Sequence, residues 1–221
     1  MAELWLAAAL WVGTHLGISS SVVRVLLVRT MGQGGYLLLY SLIAAGALTY
    51  LIWVYVNAPR FDYLWMPDPD LYWFAKLSMP LAMMLLVGGF MAPKAADPQA
   101  AAQDPVRGVF RITRHPMQWA VIIWAVGHII ANGDTVSLLF FSAFLSLSFF
   151  GSLLMDHKHA KADPVKWRQL ADVSSNIPFA ALLSGRNRWA VREWVAPLLV
   201  GLVVYAAAYY FHELYTGAVV V

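Results

Sequence analysis

The sequence predicts an all-α, polytopic membrane bundle, and three observations predict it. Of 221 residues, 61% are hydrophobic and only 12% are charged, whereas a soluble domain carries about 45–50% apolar and about 25% charged residues. The apolar residues are gathered into six runs of spanning or near-spanning length, at 4–23, 36–56, 71–92, 116–131, 135–155 and 194–211. The basic residues fall between alternate runs, as the positive-inside rule requires of a chain threaded six times through a bilayer. Backbone groups in hydrocarbon must be satisfied within their own segment, so each run is expected to be a helix. The strict alternation of a barrel strand is absent.

A helix needs about 20 residues to cross ~30 Å of hydrocarbon at ~1.5 Å per residue. The first run begins at Leu4 with no basic stretch before it and no small-residue cleavage pattern after it, so it is expected to stay as a membrane helix. Arg24 and Arg29 follow it and mark the inner side. The second run, 36–56, leads into an outer loop, 57–70, rich in turn formers from Asn57-Ala58-Pro59 to Pro67-Asp68-Pro69. That loop and its border carry the interfacial aromatics Tyr63, Trp65 and Trp73. The third run, 71–92, opens onto an inner segment, 93–106, of Ala, Asp, Pro and Gln, expected to be mobile. This inner stretch and the residues after it carry Lys94, Arg107, Arg111 and Arg114.

The fourth run is short, 116–131, with Pro116 suited to the first helical turn and Asn132-Gly133-Asp134 to the stop. The fifth, 135–155, precedes the longest polar stretch, 156–193, in which 165–172 and 177–183 are expected as short helices on the membrane surface. The sixth, 194–211, ends at His212. Of the 15 basic residues, all but Arg60 and Lys76 fall on the inner side of this six-span scheme. The scheme makes 156–193 cytoplasmic, places both termini outside, and describes a single domain over 1–221 in the cell inner membrane, surrounded by lipid.

Composition also removes whole classes of chemistry. With no cysteine there are no disulfides, thiolate nucleophiles, iron–sulfur clusters or covalently attached haem. The net charge of +3 is accounted for by topology, so nucleic acid is not an expected partner. No carboxylate lies inside a predicted span, and Lys76 sits near the outer end of its own, which is not the pattern of an ion-coupled pump.

The six histidines are the most informative residues. His157 and His159 lie in a basic, polar stretch, and His212 sits at an interface beside Glu213. His15 lies ~16 Å in from the outer end of its span, flanked by Gly13 and Gly17 and followed by Ser19-Ser20-Ser21. His128 sits four residues before the outer turn at Asn132, next to Gly127, and small neighbours admit another backbone or a flat ligand. An imidazole inside hydrocarbon is either bonded to a neighbouring helix or serves a site. The first and fourth spans run antiparallel, so His15 and His128 are candidate ligands of one metal. With no cysteine available, haem b held between two imidazoles fits such a pair. His115, Arg111 and Arg114 cluster at the inner start of the fourth span, where two guanidiniums and a helix N-terminus make a candidate anion site. Its anion is a lipid phosphate, a haem propionate or the acidic end of a cofactor.

The segment GVFRITRHPMQWA, followed by AVGHIIANGD, resembles the NnrU family of bacterial membrane proteins, as do WVGTHLGISSSVVR and Asp156-His157-Lys158. The family includes relatives of the plant 15-cis-zeta-carotene isomerase. The resemblance implies a polytopic inner-membrane protein. For the isomerase branch it implies b-type haem ligated by histidines at the positions of His15 and His128, and redox-dependent isomerisation of a polyene double bond. That branch has a cysteine near the second ligand, and Ala125 stands in that place here. Members named for denitrification are associated with nitric oxide and nitrite metabolism, which implies a small diatomic ligand instead of an apolar substrate.

Arg114-His115-Pro116 also resembles the isoprenylcysteine carboxyl methyltransferase group, where this motif helps to hold S-adenosylmethionine at the cytosolic face. Gln118 and Ala120 replace the Tyr and Gly common there, and Asp156-His157-Lys158 stands where a Glu pair usually opens the C-terminal part. Three functions follow as expectations: a haem b protein with isomerase-type or diatomic-ligand chemistry, a membrane methyltransferase, and a non-enzymatic accessory or sensor.

Overall fold

The computed structural model describes residues 1–18, 22–91 and 104–217. Its helices are α1 (Ala2–Gly13), α2 (Val22–Asn57), α3 (Pro69–Phe90), α4 (Pro116–Asn132), α5 (Thr135–Ala162), α6 (Pro164–Val173), α7 (Ala180–Leu183), α8 (Arg192–Tyr210) and α9 (His212–Thr216). A π-helical turn, Thr14–Ile18, continues α1, and a 3-10 turn, Gly108–Arg111, precedes α4. Among the described residues there is no strand, only a single bridge between Tyr63 and Asp134. Four helices, α2, α3, α5 and α8, are long and apolar enough to cross a membrane. α1 and α4 are shorter, at 12 and 17 residues.

Two boundaries differ from the sequence reading. The stretch around Arg24 and Arg29 is helical: α2 begins at Val22 and runs to Asn57, broken only at Gly32, whose φ of 74° is outside the helical region. Its run of Val, Leu and Arg contains no proline, so only the glycine interrupts it. α5 continues through Asp156-His157-Lys158 to Ala162, seven residues beyond the apolar run, until Asp163-Pro164 stops it. The surface helix expected over 165–172 is found as α6, but only Ala180–Leu183 of 177–183 is helical. Lys94 and most of the inner segment 93–106, like Ser19–Ser21, lie outside the described residues.

The starts and stops follow local chemistry. Asp68 caps α3 by accepting from Asp70 N at 2.8 Å, with Pro69 in the first turn. Asp134 caps α5 through Ser137 N, and Asp163 caps α6 through Lys166 N. Pro116 opens α4 as expected, and Thr113 Oγ1 accepts from His115 N just before it. The outer loop is pinned to the α4–α5 turn by Leu64 N to Gly133 O, Thr135 N to Asp62 O and Trp65 Nε1 to Ile130 O, each 2.9 Å.

The helices form two packed clusters joined by α4. In one, Leu4, Ala7 and Trp11 of α1 meet Leu51 and Val54 of α2, Ala125 of α4 and Phe140 and Phe141 of α5. In the other, Met84 and Leu85 of α3 meet Val109, Ile112 and Ala120. Large apolar side chains point away from the protein along the membrane-length helices, among them Leu38 and Trp53 of α2, Leu77 of α3 and Val203 of α8. Such an outward apolar belt is what lipid, not water, stabilises.

Candidate functional site

The chemistry-bearing side chains gather in two places. At the end formed by the starts of α4 and α8, Asp156 of α5 accepts from four groups. Arg114 approaches it with Nε and Nη2, His115 Nε2 lies 2.6 Å from Oδ1, and Asn176 Nδ2 donates at 3.2 Å. Arg114 also lies over the Trp167 ring at 4.9 Å, which seals α6 onto the cluster. Asn176 links further to Trp119 Nε1 and Ser152, and its carbonyl accepts from Thr113 Oγ1. Burial is the main influence on His115 and holds its pKa below the usual histidine value. Asp156 opposes that effect, while Arg114 and His159 add to it. The neutral ring therefore donates its Nε2 proton to Asp156.

Arg111 is 1% exposed, and its guanidinium is held by Glu193, Asp104 and Asn187. Glu193 also accepts from Gly108 N at 2.6 Å, and Trp194 Nε1 donates to Gly108 O. At Asp104 burial pushes the carboxyl pKa upward, but hydrogen bonds and charge from Arg111 and Arg188 prevail and hold it below its ordinary value. The anions beside Arg111 and Arg114 in this fold are thus the chain's own carboxylates. Together they tie the 3-10 turn, α4, α5 and α8 into one polar clamp.

His15 and His128 lie in the other part of the bundle, and their settings repeat. His15 Nδ1 is 2.8 Å from Trp11 O, and His128 Nδ1 is 2.8 Å from Trp124 O. A carbonyl only accepts, so each Nδ1 carries a proton, and in the neutral imidazole the lone pair then belongs to Nε2. This is the arrangement by which metal-ligating histidines are held, their other nitrogen fixed by a backbone carbonyl. The sequence carries it as a repeated Trp-x3-His, in WVGTH and WAVGH.

α1 and α4 both pack against α5, and a chain of rings joins the two histidines. It runs from His15 to Trp11 at 4.0 Å, to Phe144 at 5.4 Å, to Trp124 at 5.4 Å and to His128 at 5.1 Å. Trp11 Nε1 is buried there with no hydrogen-bond partner. Among the described residues, a Cβ added at Gly13 or Gly17 would meet nothing within 4 Å. Gly127, by contrast, admits α3: a Cβ there would lie 2.9 Å from Met79 Cε. It serves helix packing rather than a flat ligand.

Two imidazoles are the ligand type that haem iron takes, the walls are aromatic, and the unmet Trp11 indole donor stands beside one of them. The rings of Trp11, Phe144 and Trp124 lie along the path between the two imidazoles. Among the described residues, no group of three or more His, Asp or Glu is placed to hold a metal ion. His212 stands beside His128, its ring 6.4 Å away.

Sequence reasoning missed Asp156 and Glu193 as partners of the inner cluster. The signal for Asp156 was present, because it is the only acid in α5. Nothing local marks Glu193, which meets Arg111 across 82 positions.

The family model described as "NnrU protein" matches residues 3–220. The 15-cis-zeta-carotene isomerase of Arabidopsis thaliana, described as chloroplastic, is 31% identical over 115 residues, covering 50% of this chain and 31% of the relative. The protein of the same name from Zea mays is 30% identical over 81 residues, covering 37% of this chain and 22% of the relative. The matched parts thus span less than a third of the length of these curated relatives. No solved structure matches the chain.

Proposed function

The chain belongs to the NnrU protein family, and from that premise we propose that it is a multi-pass membrane isomerase acting on an apolar polyene, with haem b as its resident group. The observation that carries the reading is the doubled Trp-x3-His setting of His15 and His128, each with Nδ1 anchored 2.8 Å from a backbone carbonyl. The names of the similar plant proteins supply the reaction class. His15 and His128 would hold the iron through Nε2. When bound, haem supplies a redox-active, Lewis-acidic iron.

The chain's own residues do the rest. The carbonyls of Trp11 and Trp124 keep both imidazoles in the ligating tautomer. The rings of Trp11, Phe144, Trp124 and Phe141 exclude water and offer an apolar wall to a polyene.

In this reading α1 and α4 complete six passes of a bacterial inner membrane, the arginine-rich clamp faces the cytoplasm and the termini face outward. The clamp then works as a structural tie at the inner interface. A methyl transfer from S-adenosylmethionine at Arg114-His115-Pro116 is disfavoured, because Arg114 and His115 are engaged with Asp156. A role in nitric oxide or nitrite metabolism would use the same iron with a diatomic ligand. A non-enzymatic accessory or sensor would bind neither cofactor.

The test is the optical spectrum of the detergent-purified protein, oxidised and then reduced. A Soret band that is lost or shifted in His15→Ala and His128→Ala but unchanged in His157→Ala is the expected result. A colourless, iron-free protein from haem-replete cells overturns the reading.

A further inference from the structure

The stretch Arg188-Trp189-Ala190-Val191-Arg192 leads into α8 and sets two large apolar side chains between two exposed arginines. Trp189 is 54% and Val191 56% exposed, and the Arg188 side chain 70%. Neighbours fix its level. The Trp189 ring lies 6.3 Å from Phe179 and 6.0 Å from Trp194, and Phe179 N donates to Ile112 O, just before α4. The stretch therefore sits where α4 and α8 begin, at the other end of α4 from the loop that Trp65 pins to Ile130. Charge is unbalanced here. Asp104 and Glu193 are both taken up by buried Arg111, and Arg188 reaches Asp104 through Nη2 at 2.9 Å. Arg192 is exposed and has no hydrogen bond or ion pair among the described residues. It stands in the first turn of α8, where the helix dipole disfavours a cation, so the helix gains nothing from it.

We propose that Arg188, Trp189 and Arg192 form a docking face for anionic phospholipid headgroups, in the leaflet that surrounds the start of α8. The two guanidiniums take the headgroup's negative charge, and the indole has the apolar body and polar edge that suit the layer between headgroup and acyl chain. A membrane-length helix begins at Arg192, which keeps the stretch within reach of headgroups and makes lipid the occupant. The inference rests on the multi-pass membrane reading and is independent of haem.

Two measurements on the full-length chain test it. In the first, the detergent-purified protein is offered equal amounts of phosphatidylglycerol and phosphatidylcholine, and the bound lipids are counted by native mass spectrometry. A preference for phosphatidylglycerol is expected. Arg192→Gln should cut it ~5-fold and Arg188→Gln with Arg192→Gln further, while Arg192→Lys and Arg60→Gln keep it. Arg192→Gln removes no contact of the fold, so a folding defect does not cloud its result. The second uses the absence of cysteine: a nitroxide on Val191→Cys is unique in the chain. In vesicles of the same two lipids the label should be open to oxygen and shielded from a water-soluble nickel chelate.

Equal binding of the two lipids, or a preference unchanged in the double variant, overturns the proposal. So does a label reached freely by the nickel chelate in a chain that alkaline carbonate leaves in the vesicles, with the membrane reading intact. A label shielded from both probes and broadened by a second nitroxide reports another copy of the chain on this face, and overturns it too. A chain that carbonate strips from the vesicles sinks the membrane reading as well. A colourless protein with the lipid preference intact sinks the haem reading alone.

Discussion

The Oδ1 atom of Asp156 lies 2.6 Å from Nε2 of His115, joining the end of α5 to the start of α4. The same carboxylate takes both Arg114 contacts and the Asn176 amide, so one side chain satisfies three donor residues in a setting where it is only 14% exposed. Asp156→Ala removes the acceptor of Arg114 and His115, while the Asn176 amide keeps Ser152 Oγ. Breaking one partner of a largely buried pair costs about 3 kcal/mol or more. Thermal unfolding in detergent should show that loss. Arg114→Lys keeps the charge but not the two-pronged contact, and should lose about 1 kcal/mol. Equal stability of Asp156→Ala and the parent chain would show the clamp to be idle.

Stability should also carry a step set by His115. Burial holds its folded pKa below the ordinary 6.5, so between those two values the unfolded chain binds a proton that the folded chain refuses. Stability is therefore full above about pH 6.5 and falls as pH drops from there through the lower folded value. Asp104 acts in a more acidic window. Its depressed pKa gives stability that is present above the ordinary 3.8 and is lost as pH falls through its folded value. Unfolding temperature should begin to fall below about pH 6.5, with the Asp104 loss added below about 3.8. His115→Gln should erase the onset near 6.5 and leave the acid decline.

The fold was largely legible because hydrocarbon leaves a chain few choices. Apolar runs must be helical, and first-turn prolines and capping aspartates mark where α3, α4 and α6 start; these helices and α8 begin and end close to the sequence reading. The sequence reading puts residues 24–35 between the first two apolar runs because Arg24 and Arg29 mark the inner side, yet arginine does not forbid a helix, and only Gly32 interrupts this one. His15 and His128 stood out because ionisable groups are rare in such runs. Arg111 was legible as a charge at an interface but not as a buried one. Its partners, Asp104 and Glu193, come from segments that only the tertiary fold brings together. The ring relay through Phe144 was equally invisible, since one Phe among many in α5 carries no mark of its neighbours.

α3 and α8 meet at Gly201. A Cβ there would lie 2.8 Å from Met84 N and 2.9 Å from Met84 Cα, both backbone atoms that cannot swing aside. Gly201→Val must push the two helices apart, which costs about 1–3 kcal/mol, the usual range for overpacking. Gly46 in α2 has nothing within 4 Å of the same position. Gly46→Ala should be neutral or add up to ~1 kcal/mol from helix propensity. Unfolding temperatures of the two variants should move apart; parallel shifts would mean that α3 and α8 separate at little cost.

Phe144 contacts both tryptophans whose carbonyls anchor the two histidines, Trp11 and Trp124, each at 5.4 Å. Phe144→Ala removes the ring between them and leaves a gap that the flanking indoles can only partly fill. The expected loss of stability is about 3 kcal/mol, the low end of Phe-to-Ala values, because the residue is only partly buried. The spectroscopic consequence is separate from the stability one. If the two histidines share one haem, moving either indole displaces the carbonyl that orients its imidazole, so Phe144→Ala should shift the Soret band even though Phe144 is no ligand. Phe149→Ala, on the same helix but 45% exposed, should leave both band and stability unchanged. Identical spectra for Phe144→Ala and Phe149→Ala, with haem bound in both, would mean that the iron does not depend on this aromatic bridge.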